Sequence, residues 1–105
     1  MTNLEFTSIV TEELENIKNI LIKKGNEYTP DNDRLSAFKK GSNLLQSTPA
    51  KTLLGYLTKH VISIYDMIKS DDKFTKELWV EKITDTISYL LLLLAIKTEE
   101  GFLNE

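Results

Sequence analysis

Between Leu90 and Ile96 the chain runs through seven residues, LLLLLAI, without one polar side chain. That is far short of the ~20 apolar residues a bilayer span requires, yet too much contiguous hydrocarbon to leave in water. The run therefore has to be covered by protein. Trp79, Val80, Ile83, Ile87 and Leu90 lead into it at helical spacing, which predicts one helix from near Lys76 through Leu94, ending before Gly101. A helix apolar nearly all round is the most buried member of a bundle, or finishes its coverage against a second subunit.

The remainder of the chain supplies helices to pack against it. Leu4, Ile9, Val10, Leu14, Ile17, Leu21 and Ile22 recur with the helical period, opened by Thr2 or Asn3 as a cap and stopped by Gly25, giving a helix over about 4–24. From Gly25 to Arg34 the sequence GNEYTPDNDR carries turn formers and no apolar period, so it reads as a loop. Asp31 or Asp33 is then expected to cap a short helix with Leu35, Phe38, Leu44 and Leu45, weakened at Gly41. Thr48 before Pro49 is a specific start signal, and Leu53, Leu54, Leu57, Val61, Ile64 and Ile68 carry the third helix to about Ile68. The polar segment Ser70 to Thr75 breaks the pattern. No stretch alternates with period two over a useful length and no Asn-Gly hairpin signal occurs, so a sheet has no material. The expected fold is all-α: an antiparallel four-helix bundle forming a single domain over 1–105, oligomeric where its apolar surface is in surplus.

At 105 residues, 41% hydrophobic and 28% charged, the chain is long enough for one core and unlike a disordered tail. A net charge of −3 argues against DNA or RNA as a partner, because no overall basic field exists to attract a phosphate backbone. Without cysteine there is no disulfide, thiolate nucleophile or zinc ribbon, which fits a reducing compartment. Acids in the first eighteen residues do not suit an export signal, and with no membrane span the expected location is the cytoplasm.

Polar residues placed at some cost mark candidate chemistry. Glu81, Asp85 and Ser88 fall at i, i+4 and i+7 on one flank of the last helix, with Asp85 set between Ile83, Thr84, Thr86 and Ile87. A carboxylate held partly out of water has to be paired, hydrogen-bonded or bound to a cation, although a solvent-facing flank would show the same spacing. Lys59, Ser63 and Asp66 repeat the pattern on the third helix. A tight turn near residue 73 would set Asp66 level with Glu81, and His60 with Asp85, an arrangement from which facing helices build Mg²⁺ or Mn²⁺ sites; salt bridges from Lys59 are the plainer alternative. His60 is the only histidine, and Arg34 the only arginine beside 12 lysines. Arginine's planar fork suits phosphate or carboxylate, or an Asp33 contact. In the loop, Lys24, Glu27 and Tyr28 add a base, an acid and a ring able to stack on a nucleobase. No Gly-rich phosphate loop, GxSxG or HExxH is present.

The strings KGNEY at 24–28, DNDRLSAFKK at 31–40, TP at 48–49, KHVISIYDM at 59–67 and WVEKITDTISYLLLL at 79–93 together resemble small phage and prophage proteins related to the nucleotide-modification-associated, MazG-like all-α pyrophosphatase group. The resemblance implies an α-helical, often oligomeric, nucleotide-binding domain. In its active members Mg²⁺ held by helical acids cleaves a nucleoside triphosphate to the monophosphate and pyrophosphate. Carried onto this chain, it implies Glu81 and Asp85 as catalytic acids and Glu27, Asp66, Glu81 and Asp85 as metal ligands. Lys24, Tyr28, Arg34, Lys59, His60 and Tyr89 would contact the substrate. The acid pair here is spaced ExxxD, with Lys82 where the resembled pattern would carry a glutamate. A second expectation follows: a non-catalytic sponge that sequesters a cyclic or ADP-ribose type nucleotide messenger of host antiphage defence, acting in the host cytoplasm. The third is an interaction module that docks through its last helix.

Overall fold

The computed structural model describes residues 1–25 and 33–101, with Lys24 described in its backbone only. Among these residues the secondary structure is helical throughout, with no strand. The elements are α1 (Asn3–Lys18), a π-helical segment (Asn19–Lys24), α2 (Ser36–Leu45), α3 (Pro49–Lys69) and α4 (Lys76–Glu99). They group into two compact units, Met1–Arg34 and Leu35–Glu105.

In the first unit Thr2 caps α1, its hydroxyl accepting from the Glu5 N–H at 3.1 Å. The helix expected to run unchanged to residue 24 alters its winding at Asn19, where six residues adopt the wider π-helical form. Ile17 is buried, whereas Leu4, Phe6, Ile9 and Leu14 are exposed. Gly25 ends the segment. A side chain there would start 2.6 Å from the Arg34 guanidinium, so the arginine lies directly over this glycine's backbone.

In the second unit α3 and α4 pack together, and α2 packs on α3. Helix starts are set by side-chain caps where the sequence provides them. The Lys51 N–H donates to the Thr48 hydroxyl at 3.2 Å ahead of Pro49, and the Leu78 N–H donates to the Thr75 hydroxyl at 3.1 Å. Phe74, just before the Thr75 cap, meets Trp79 edge to face at 6.0 Å, which staples the chain into α4 as it leaves the turn. The residue just before α2 is Leu35, which has no side-chain oxygen and is a core residue; of the two aspartates expected as caps, Asp31 lies outside the described residues. α4 also runs past Leu94 to Glu99, since nothing breaks the helix before Gly101, whose φ of +88° suits glycine.

Leu35, Phe38, Leu53 and Ile96 form the core, with Ala50, Leu57, Tyr89, Leu92 and Leu93 packed around them. Each fully buried side chain of this size contributes ~1.5–3 kcal/mol through removal from water. The face of α4 turned to the core is unusual: Thr84 and Ser88 are buried, while Leu90, Leu91 and Leu94 are exposed. The apolar run expected to make α4 the most buried helix is thus divided, with Leu92, Leu93 and Ile96 on the core and Leu90, Leu91 and Leu94 outside it.

Candidate functional site

Register along α3 organises the chemistry. Leu53, Leu57, His60, Ile64 and Met67 are spaced 4, 3, 4 and 3 residues apart and are buried or half-buried. One residue earlier at each step stand Thr52, Tyr56, Lys59, Ser63 and Asp66, a parallel stripe turned ~100° around the helix. α2 lies against the start of this second stripe, with Gly41 close to Thr52 and Phe38 meeting the Tyr56 ring edge-on at 6.2 Å. Lys59, Ser63 and Asp66 continue it toward the α3–α4 turn.

α4 answers with Glu81, Asp85 and Tyr89, each one turn from the next. The Tyr89 ring lies parallel to that of Tyr56, with centroids 6.0 Å apart and planes within 3°, and meets the His60 imidazole at 5.0 Å with a tilt of 33°. Phe38, Tyr56, Tyr89 and His60 therefore form one continuous array. His60, expected level with Asp85, sits against the residue one turn further on. The phenol of Tyr89 is held above its usual pKa, first by burial and then by the negative charge of Asp85 and by Tyr56. At neutral pH it is an O–H donor and not a base. Influence on that phenol also places Asp85 beside the array, where it is half-buried, while Glu81 is exposed one turn away.

Of the residues singled out from sequence, His60, Tyr89 and Asp85 come together here, with Lys59 next to His60 and exposed. Asp66 is exposed further along the Lys59 stripe. Ser88, expected to share a polar flank with Glu81 and Asp85, is instead turned into the helix packing, where its hydroxyl is buried with no hydrogen-bond partner. Arg34 is exposed in the other unit, while Glu27, Tyr28 and the Lys24 side chain lie outside the described residues. Tyr56 and Phe38 were not anticipated; Tyr56 stands four residues before His60, a spacing that places both on neighbouring turns of one face.

The carboxylates supply hard oxygen donors. Mg²⁺ is commonly held by one or two carboxylates with its remaining positions taken by water and substrate phosphate, and the one-turn spacing of Glu81 and Asp85 is compatible with that donor set. Among the described residues no three His, Asp or Glu side chains gather as a group able to hold a metal ion. No helix among the described residues is long and apolar enough to cross a membrane. Comparison with protein-family models, with curated proteins and with solved structures finds no match to this chain.

Proposed function

We propose that this chain binds a nucleotide on the Tyr56–Tyr89–His60 face of α3 and α4 and, with Mg²⁺, hydrolyses one of its phosphoanhydride bonds. The observation that carries the reading is the ring array itself, with Lys59 beside it and Asp85 against it. Aromatic faces stack on a nucleobase whatever its identity, and a neighbouring ammonium and imidazole suit phosphate oxygens. Tyr89 offers an O–H to the ligand because its phenol stays neutral. Glu81 and Asp85, one turn apart on α4, would hold the metal. Bound there, Mg²⁺ would polarise the phosphate and lower the pKa of a water molecule. The reading is that of the MazG-like resemblance, with its oligomeric, cytoplasmic setting.

The test is incubation with a panel of nucleoside triphosphates and of cyclic and ADP-ribose type dinucleotides, with and without Mg²⁺, followed by chromatography after heat release. Metal-dependent product that disappears in Asp85→Asn is the expected result; an unchanged rate in that variant refutes the site. A second reading, sequestration without cleavage, draws on Lys82 standing where the resembled pattern carries an acid. It predicts depletion of one compound that returns intact on heating.

A further inference from the structure

α3 carries a third stripe, one residue later at each step than its packed one: Leu54, Thr58, Val61, Tyr65 and Ile68, again spaced 4, 3, 4 and 3. All five are exposed. On α4, Val80, Ile83, Ile87, Leu90 and Leu94 follow one another at 3, 4, 3 and 4, and Leu91 lies beside them. The apolar members Leu54, Val61, Tyr65, Ile68, Ile83, Leu90, Leu91 and Leu94 are between 41% and 68% exposed. This is the spacing at which helices pack knobs into holes against another helix.

The two stripes share one face. On α3 the site stripe precedes the packed stripe by one residue and the apolar stripe follows it. On α4 the order is reversed: Asp85 and Tyr89 follow the buried Thr84 and Ser88 by one residue, while Ile83 and Ile87 precede them. Two helices joined by the short turn at 70–75 run antiparallel, so opposite offsets fall on the same side. Tyr56 meeting Tyr89 fixes which side is which. The apolar stripes therefore lie together on the face opposite the rings, Lys59 and α2.

We propose that this face is the interface of a homodimer, in which the α3–α4 pairs of two chains pack as a four-helix bundle and leave both ring arrays open on the outside. Three features favour a second copy as its occupant. The face holds no charged residue from Leu54 to Ile68 along its α3 stripe or from Val80 to Leu94 along its α4 stripe, so a partner needs no complementary charge, only a matching apolar seam. This surface itself presents such a seam, and a two-fold axis sets a patch against its own copy. The Thr58 hydroxyl on α3 is already satisfied: it donates to the Leu54 carbonyl at 2.7 Å, leaving the methyl to pack at little cost in desolvation. The area also suits, since eight half-exposed side chains of this size offer roughly 700–800 Å², about what one partner contributes to a standard interface.

Sedimentation analysis of the full chain at micromolar concentration tests this. The expected mass is twice the 12.0 kDa of one chain, falling to the monomer in Val61→Glu and in Leu90→Glu with the helical circular dichroism retained. Asp71→Lys, in the turn at the end of the hairpin, makes a larger change of charge and should leave the dimer whole. A wild-type monomer overturns the proposal, as does a dimer indifferent to both substitutions. Hydrogen exchange of the unmutated chain at high and low concentration reads the same face should a variant fail to fold. Protection that grows with concentration over 58–68 and 87–94 supports it, and growth confined to 3–18 refutes it by assigning the contact to α1.

Discussion

Ser88 and Tyr89 are neighbours in sequence with opposite consequences. Ser88 brings a hydroxyl into the α3–α4 packing and finds no partner, so the folded state carries a desolvation cost that alanine would remove. Ser88→Ala should raise stability by roughly 1 kcal/mol, seen as a higher urea midpoint; a fall would show that the hydroxyl is satisfied in solution. Tyr89 keeps its proton because burial, Asp85 and Tyr56 all disfavour the phenolate. A pKa raised by folding gives a stabilising contribution that is complete below the unfolded value of 10.0 and is lost as pH rises through the folded value. Tyr89 should therefore ionise late in an ultraviolet absorbance titration, and Tyr89→Phe should remove that step and blunt the loss of thermal stability above that pH. Asp85→Asn should move the late step part of the way back, since the burial that dominates the shift remains. Ser88 was marked from sequence as part of a polar flank and Tyr89 through the resemblance as a substrate contact, and their fates differ because 100° of helix rotation separates an interface from a ring array.

At the scale of elements, two glycines inside helices make a controlled comparison. Gly55 has open space where a side chain would begin, so Gly55→Ala should stabilise α3 by ~0.5–1 kcal/mol through helix propensity. Gly41 faces α3: an added Cβ would sit 2.8 Å from the Thr52 methyl, and Thr52 is anchored by its hydroxyl donating to the Thr48 carbonyl at 3.0 Å. A branched side chain fixed in that way has little room to turn aside. For Gly41→Ala the ~1–3 kcal/mol cost of overpacking should outweigh the propensity gain, so thermal denaturation should show a lower midpoint. Sequence alone marks Gly41 as a weak point of the helix; the packing makes it the place where α2 approaches α3. Thr48–Pro49 is legible because a cap is local chemistry, whereas the burial of Leu35 at the start of α2 depends on which helix it meets.

For the molecule as a whole, association and stability are linked if the apolar face of the α3–α4 pair closes on a second copy. The unfolding midpoint should then rise with protein concentration, by the mass action that stabilises any folded state able to associate, and Val61→Glu should abolish that dependence. A midpoint constant over a hundredfold range of concentration would count against the dimer. With the interface on one side and the rings on the other, Val61→Glu should also leave nucleotide binding intact, whereas Asp85→Asn alters the site without altering the mass. The sequence by itself determined the helical class, the cap at Thr48, the polar break at 70–75 and the placing of Lys59 and His60 on one helix and Asp85 on the next, because period, caps and turn formers act over a few residues. Only the tertiary structure decided which apolar stripe is core. Leu53–Leu57–Ile64–Met67 and Leu54–Val61–Tyr65–Ile68 are both hydrophobic at helical spacing, and burial depends on which of them meets another helix. The same choice of contact, invisible to any local pattern, turned Thr84 and Ser88 inward, left Leu90, Leu91 and Leu94 outside and set Tyr56 against Tyr89.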